Sequence, residues 1–127
     1  MTLKKIALYL LIALYVLAGI NHFWHPGFYL RLIPPYLPFP HFINYAAGVV
    51  EFVLGLLVAF PKTRRMGAIG IIVLLCVFIP SHVYSLQIAC PCSAGCPMQW
   101  IAWIRFFIIH PALIAWAWWV RKPSSGY

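Results

Sequence analysis

Acidic side chains are nearly missing from this sequence. Among 127 residues there is one, Glu51, against nine Lys and Arg. With no aspartate and no second carboxylate, paired-carboxylate glycosidase chemistry, Ser–His–Asp triads and carboxylate metal cages are excluded. Charge of either sign is scarce: 8% of residues are charged and 65% are hydrophobic, against roughly 45–50% apolar in an average soluble domain. A soluble fold of this length needs a polar surface, and too few polar residues are present to make one. A net charge of +8 would point to nucleic acid in a soluble chain. Here the cations form small clusters between long apolar runs, a pattern of membrane topology. The partner read from composition is the lipid bilayer, and nucleic acid is not expected.

A helix crossing ~30 Å of hydrocarbon needs about 20 apolar residues. Four segments meet that requirement, at about 3–20, 42–60, 66–88 and 99–120. The runs are unbroken and do not alternate, which excludes membrane strands. The fold class expected is therefore all-α: one domain over 1–127, a four-helix transmembrane bundle with loops at 21–41 and 89–98. Lys4 and Lys5 ahead of an apolar stretch also describe a signal peptide. No A-x-A site follows Ile20 and no lipoprotein Cys is present there, so the first helix is read as retained. Lys4, Lys5, Lys62, Arg64, Arg65, Arg121 and Lys122 fall on one side, Arg31 on the other, and Arg105 within the last span. Both termini are thus expected to be cytoplasmic, in a bacterial inner membrane, with the two long loops outside. Trp100 and Trp103 at one end of the fourth span, and Trp116, Trp118 and Trp119 at the other, fit interfacial belts.

The first long loop is unusually apolar. Pro26 suits the first turn of a short helix, and Pro34, Pro35, Pro38 and Pro40 predict an extended, polyproline-like return. A loop of this kind lies in the interface or folds over the bundle mouth, as a structural lid or as a substrate gate. His22 and His25 sit there beside aromatic residues.

Glu51 falls about halfway through the second span, where an ionised carboxylate costs about 2.5–3.5 kcal/mol, so it must face the bundle, find a partner or hold a proton. Asn44, Gly48, Glu51 and Gly55 share one helical face, and the small residues on it permit close helix approach. At ~1.5 Å per residue, Glu51 and His110 lie about 15 Å deep and Arg105 and His82 about 8–9 Å deep. Glu51 is therefore expected to meet His110 or Arg105, with His82, Ser81 and Ser85 adding a polar patch. Pro80 and Pro111 each free a carbonyl and kink their helices. Together Glu51, His82, Arg105, His110 and His22 are read as one pocket beneath the first loop. A quinone or another small redox molecule is the cofactor class expected there. The alternative is a buried pair that sets helix register.

Cys90-Pro91-Cys92-Ser93-Ala94-Gly95-Cys96-Pro97-Met98 is the sharpest local signal, on the side where disulfides form. A bond across Pro91 would be strained, whereas Cys96 closes a more comfortable loop with Cys92 or Cys90. Three readings stay open. They are a structural disulfide with a spare thiol, a redox-active set of Cys90, Cys92 and Cys96, and a soft-metal (Cu or Zn) site with Met98 or His25. Cys76, deeper in the third span, is expected to be a buried small residue.

Several elements occur in a recognisable order: Ala18-Gly19-Ile20-Asn21-His22-Phe23, Pro34-Pro35-Tyr36-Leu37-Pro38, Gly48-Val49-Val50-Glu51 and Pro61-Lys62-Thr63-Arg64-Arg65. Phe78-Ile79-Pro80-Ser81-His82-Val83-Tyr84 follows them. This pattern resembles the DoxX-like family over about the first two thirds of the chain. The resemblance implies a four-helix membrane bundle. It also implies a role among subunits and partners of sulfur, quinone and thiol redox systems, or among assembly factors. The expectation is a redox-linked accessory or small subunit that supports thiol or sulfur chemistry outside the cytoplasm, with a membrane or periplasmic protein partner. Its rival is a non-enzymatic assembly factor whose tight helix face grips a partner's transmembrane segment.

Overall fold

The computed structural model describes residues 1–89 and 97–122, with backbone alone at 97–99. The helices are α1 Leu3–Trp24, α2 Pro26–Leu30, α3 Pro40–Ala59, α4 Arg64–Val77, α5 Ile79–Ile88, α6 Pro97–Ile104 and α7 His110–Val120. One π turn, Arg105–Ile109, joins α6 to α7. Four spans are long and apolar enough to cross a membrane: Leu3–Trp24, Pro40–Ala59, Arg64–Ile88 and Trp100–Val120. They close a ring in which α1 packs on α3, α3 on α4, α4 on α7 and α7 on α1. The chain is a four-helix transmembrane bundle.

Local chemistry sets where these helices begin and break. Thr2 caps α1, its side-chain oxygen accepting from the Lys5 N–H at 3.4 Å, which satisfies one of the orphan donors of a first turn. Pro26 and Pro40 open α2 and α3 near their first positions, where a missing N–H costs nothing. At the tight turn from α3 to α4, Thr63 Oγ1 donates to the Leu57 carbonyl at 2.7 Å and Arg64 Nε to that of Val58 at 3.1 Å. Carbonyls at the α3 terminus are thereby satisfied.

Three expectations need correction. The return after α2 is a series of turns and not an extended polyproline run. Leu37 N–H donates to the Pro34 carbonyl at 3.0 Å, placing Pro35 second in a four-residue turn, where its fixed φ is favoured. The third span does not merely bend at Pro80. It divides into α4 and α5 around Phe78, with Pro80 in the first turn of the new helix. Cys76 is exposed on the outer surface; α4 turns its opposite face, with Ala68, Ile71 and Leu75, inward. In the fourth span, Pro111 stands just after a π turn in which the His110 N–H reaches back to the Arg105 carbonyl.

The end of the bundle that carries both termini is apolar. Leu8, Leu11, Tyr15, Val58, Ala68, Ile71, Leu75, Ala117 and Val120 form one buried cluster, and Trp116 Nε1 donates to the Ala7 carbonyl at 3.0 Å across α1 and α7. Toward the other end, called here the loop end, α1 and α3 approach until their backbones touch. A Cβ on Gly19 would meet the Gly48 carbonyl at 2.7 Å, and one on Gly48 would meet His22 Cβ at 2.6 Å. Only glycine fits such a crossing, and it brings His22 over the polar face of α3.

Candidate functional site at the loop end

His22, Asn44, Glu51, Ser85 and His110 are the buried polar or charged side chains among the described residues, and all lie from mid-bundle to the loop end. His22 is the hub. Its Nδ1 is 2.8 Å from Asn44 Oδ1, and Asn44 Nδ2 donates to the His22 backbone carbonyl at 3.0 Å. Since a carbonyl only accepts, the amide oxygen must face the ring, and His22 Nδ1 carries the hydrogen. The other ring nitrogen, Nε2, lies 3.5 Å from Glu51 Oε2. A bare imidazole nitrogen facing a bare carboxylate would oppose two lone pairs, so one proton belongs between them. The partner of Glu51 is thus His22, and neither His110 nor Arg105.

The same imidazole positions the first loop. Its ring stacks on Tyr29 of α2, with centroids 3.7 Å apart and planes 17° from parallel. Asn21 Nδ2 donates to the Tyr29 hydroxyl at 2.8 Å, and Asn21 Oδ1 lies 2.7 Å from Nδ1 of the exposed His25. The chain Glu51–His22–Tyr29 therefore fixes α2 over the bundle.

A second group forms across the bundle. His82 of α5 meets His110 edge to face at 4.7 Å between centroids, and Phe106 in the π turn lies 6.2 Å from each ring. Both ring nitrogens of buried His110 are without a hydrogen-bond partner among the described residues. π turns recur where a helix must re-aim side chains, and this one separates Arg105 from His110.

Arg105, within electrostatic reach of His82, lines a cavity. This cavity, of about 250 Å³, lies between the α2 end, the α5 end and the start of the fourth span. Phe28, Arg31 and Leu32 line it on one side, Ser85, Ile88 and Ala89 on another, and Ile101, Ala102 and Arg105 on the third. Two guanidinium side chains thus line one cavity whose other walls are mostly apolar. Arg31 Nε donates to the Gly27 carbonyl at 3.2 Å, which ties that side chain to α2.

Residues 11–121 match the model of a family described as a domain of unknown function, DUF8561. The chain belongs to that family. No curated protein and no solved structure matches it. The DUF8561 match takes in most of the first span and all of the other three, so His22, Asn44, Glu51, His82, Arg105 and His110 are part of the family's own region.

The five residues expected in one pocket divide into two groups: His22 with Glu51, and His82 with His110, where His82 is also within electrostatic reach of Arg105 at the cavity. This DUF8561 bundle fits a quinone poorly at the cavity. Arg105 and Ser85 offer hydrogen bonds to a carbonyl oxygen, but the described residues lining it include no histidine or carboxylate. A guanidinium keeps its proton, and quinone reduction consumes two. Cys90, Cys92, Cys96 and Met98, with the disulfide, thiol and metal readings of their loop, lie outside the residues whose side chains are described. Sequence spacing placed Asn44 beside Glu51 but did not show that it orients His22, which is 22 residues away in the chain. Arg31, read as a loop-border cation, lines the cavity. No periodicity links it to Arg105.

Proposed function

We propose that the chain is a membrane redox accessory subunit in which Cys90, Cys92 and Cys96, on the external face, exchange disulfides with a membrane or extracytoplasmic protein partner. The observation that carries this reading is the placement of the bundle's buried polar side chains from its middle to the end from which the cysteine run departs, with Ala89, the residue before Cys90, in the wall of the arginine cavity. The opposite end is filled mostly by aliphatic side chains. The resemblance to DoxX-like proteins supports the same role. The cation clusters support termini in the cytoplasm and an inner-membrane location.

The step needs no further oxidant. A thiolate of this chain attacks one sulfur of the partner's disulfide; the S–S bond breaks, a mixed disulfide forms, and the partner's other sulfur leaves as thiolate. A second thiolate of this chain then attacks its own sulfur in the mixed disulfide and releases the partner as a dithiol. Two electrons pass to the partner, and the two thiol protons of this chain balance those the partner gains. The buried His22–Glu51 pair acts on structure in this scheme. It holds α2 down, and α2 supplies one wall of the cavity.

The assembly-factor reading relied on the small-residue face of α3 for a partner's helix. That face is occupied by α1 within the chain itself, with Gly19 and Val16 against Gly48 and Gly55.

Replacing the resolving cysteine arrests the exchange at the mixed disulfide. Single Cys→Ser variants at positions 90, 92 and 96, expressed in cells and alkylated before non-reducing electrophoresis, should include at least one that traps a reductant-sensitive adduct. Absence of any adduct from all three variants would refute the exchange.

A further inference from the structure

We propose that the cavity lined by Arg31 and Arg105 is a binding site for the phosphate of an anionic membrane lipid. Two guanidinium side chains, from elements far apart in the chain, line the same cavity of about 250 Å³. The sequence holds one acidic side chain, and that carboxylate is engaged by His22. No Asp or Glu of this protein is therefore left to neutralise either arginine. Arg31 is exposed and Arg105 half-buried, so both are open to an anion from outside the protein, and arginine pairs with phosphate through parallel N–H donors with more than ordinary hydrogen-bond strength. Ser85 adds a hydroxyl in the same wall.

The shape of the surroundings selects an amphiphile. Ile88 and Ile101, which line the cavity, are also 42% and 50% exposed on the bundle's perimeter. The cavity is thus continuous with the surface that faces acyl chains. A phosphate between Arg31 and Arg105 would leave its glycerol and chains to run outward over Ile88 and Ile101, in the manner of basic pockets that hold lipid headgroups. The volume suits a headgroup phosphate and not a whole lipid. Such a lipid would join α2 to the fourth span where the protein has no acid to do so.

The test uses the whole chain, purified in mild detergent and incubated with phosphatidylglycerol or phosphatidylcholine, with retained lipid counted by native mass spectrometry. Phosphatidylglycerol should be retained in preference to phosphatidylcholine. Arg105→Gln and the exposed Arg31→Gln should each lower its retention about tenfold, while Lys62→Gln, on the turn at the opposite end, should not. Circular dichroism identifies any variant that fails to fold, and Arg31→Gln stands as the second probe if Arg105→Gln does. Equal retention of the two lipids, or undiminished retention in both arginine variants, would overturn the proposal. Displacement of phosphatidylglycerol by an equal concentration of inorganic phosphate would assign the site to the free anion and likewise overturn it. The measurement reads no thiol, so its outcome is separate from that of disulfide trapping.

Discussion

The two ends of the bundle are built on different rules. At the terminal end, Leu11, Val58, Ile71 and Ala117 are 0% exposed, and the interior is filled by aliphatic contact. From the middle to the loop end, buried positions are taken by Asn44, His22, Glu51, Ser85 and His110. In lipid, hydrophobic transfer gives helices little reason to associate, so packing and hydrogen bonds do the work. The terminal end satisfies that need with close packing and one tryptophan hydrogen bond. The loop end departs from it: Glu51 Oε2 and both His110 nitrogens lack a full hydrogen bond among the described residues. Such groups are costly, and they lie from the middle of the bundle toward the loop end.

The comparison is broken most sharply by separating the His22–Glu51 pair. His22→Ala leaves a buried carboxylate without its partner and should cost about 3 kcal/mol, read as a fall in thermal midpoint in detergent. It also removes the ring beneath Tyr29, so α2 should become open to proteolysis. The double variant His22→Phe with Glu51→Leu should recover most of that stability, because apolar replacement of a buried pair is often neutral. If the double variant is as unstable as the single one, the pair is a requirement of the fold and the contrast between the ends is wrong.

A smaller effect is expected at the other end. Leu11→Ala opens a gap in the aliphatic cluster and should cost about 2 kcal/mol, near the low end for such changes because lipid takes the place of water. Its thiol labelling should match the parent protein. A change in cysteine reactivity after Leu11→Ala would show that the two ends are coupled. The smallest effect belongs to Cys76, exposed on the outer face of α4. Cys76→Ala should shift stability by less than about 0.5 kcal/mol and leave disulfide exchange intact.

The four spans were legible in the sequence because length and unbroken apolarity are one-dimensional properties. Pro26 marked a helix start for the same local reason, whereas Pro40, read as part of an extended return, opens α3. The face Asn44–Gly48–Glu51–Gly55 was legible from helical spacing, and its close packing on Gly19 confirms what small residues permit. The partner of Glu51 was not. Depth counting ranked His110 and Arg105, but α1 runs to Trp24, four residues beyond the apolar run 3–20, and so carries His22 into the bundle. The Arg31–Arg105 cavity was hidden for a related reason. A folded loop brings Arg31, at the end of α2, to the same cavity as Arg105, and no spacing rule encodes that meeting. The exposure of Cys76 depended on the rotation of α4, which a uniformly apolar run does not specify.

The claim that the loop end is where the chemistry happens is tested most directly by intact-mass analysis of gently purified protein alkylated before and after reduction. The account predicts that at least two of Cys90, Cys92 and Cys96 take label as purified, lose it after incubation with oxidised glutathione, and regain it once reductant is added. Labelling of all three that oxidised glutathione leaves unchanged would contradict it.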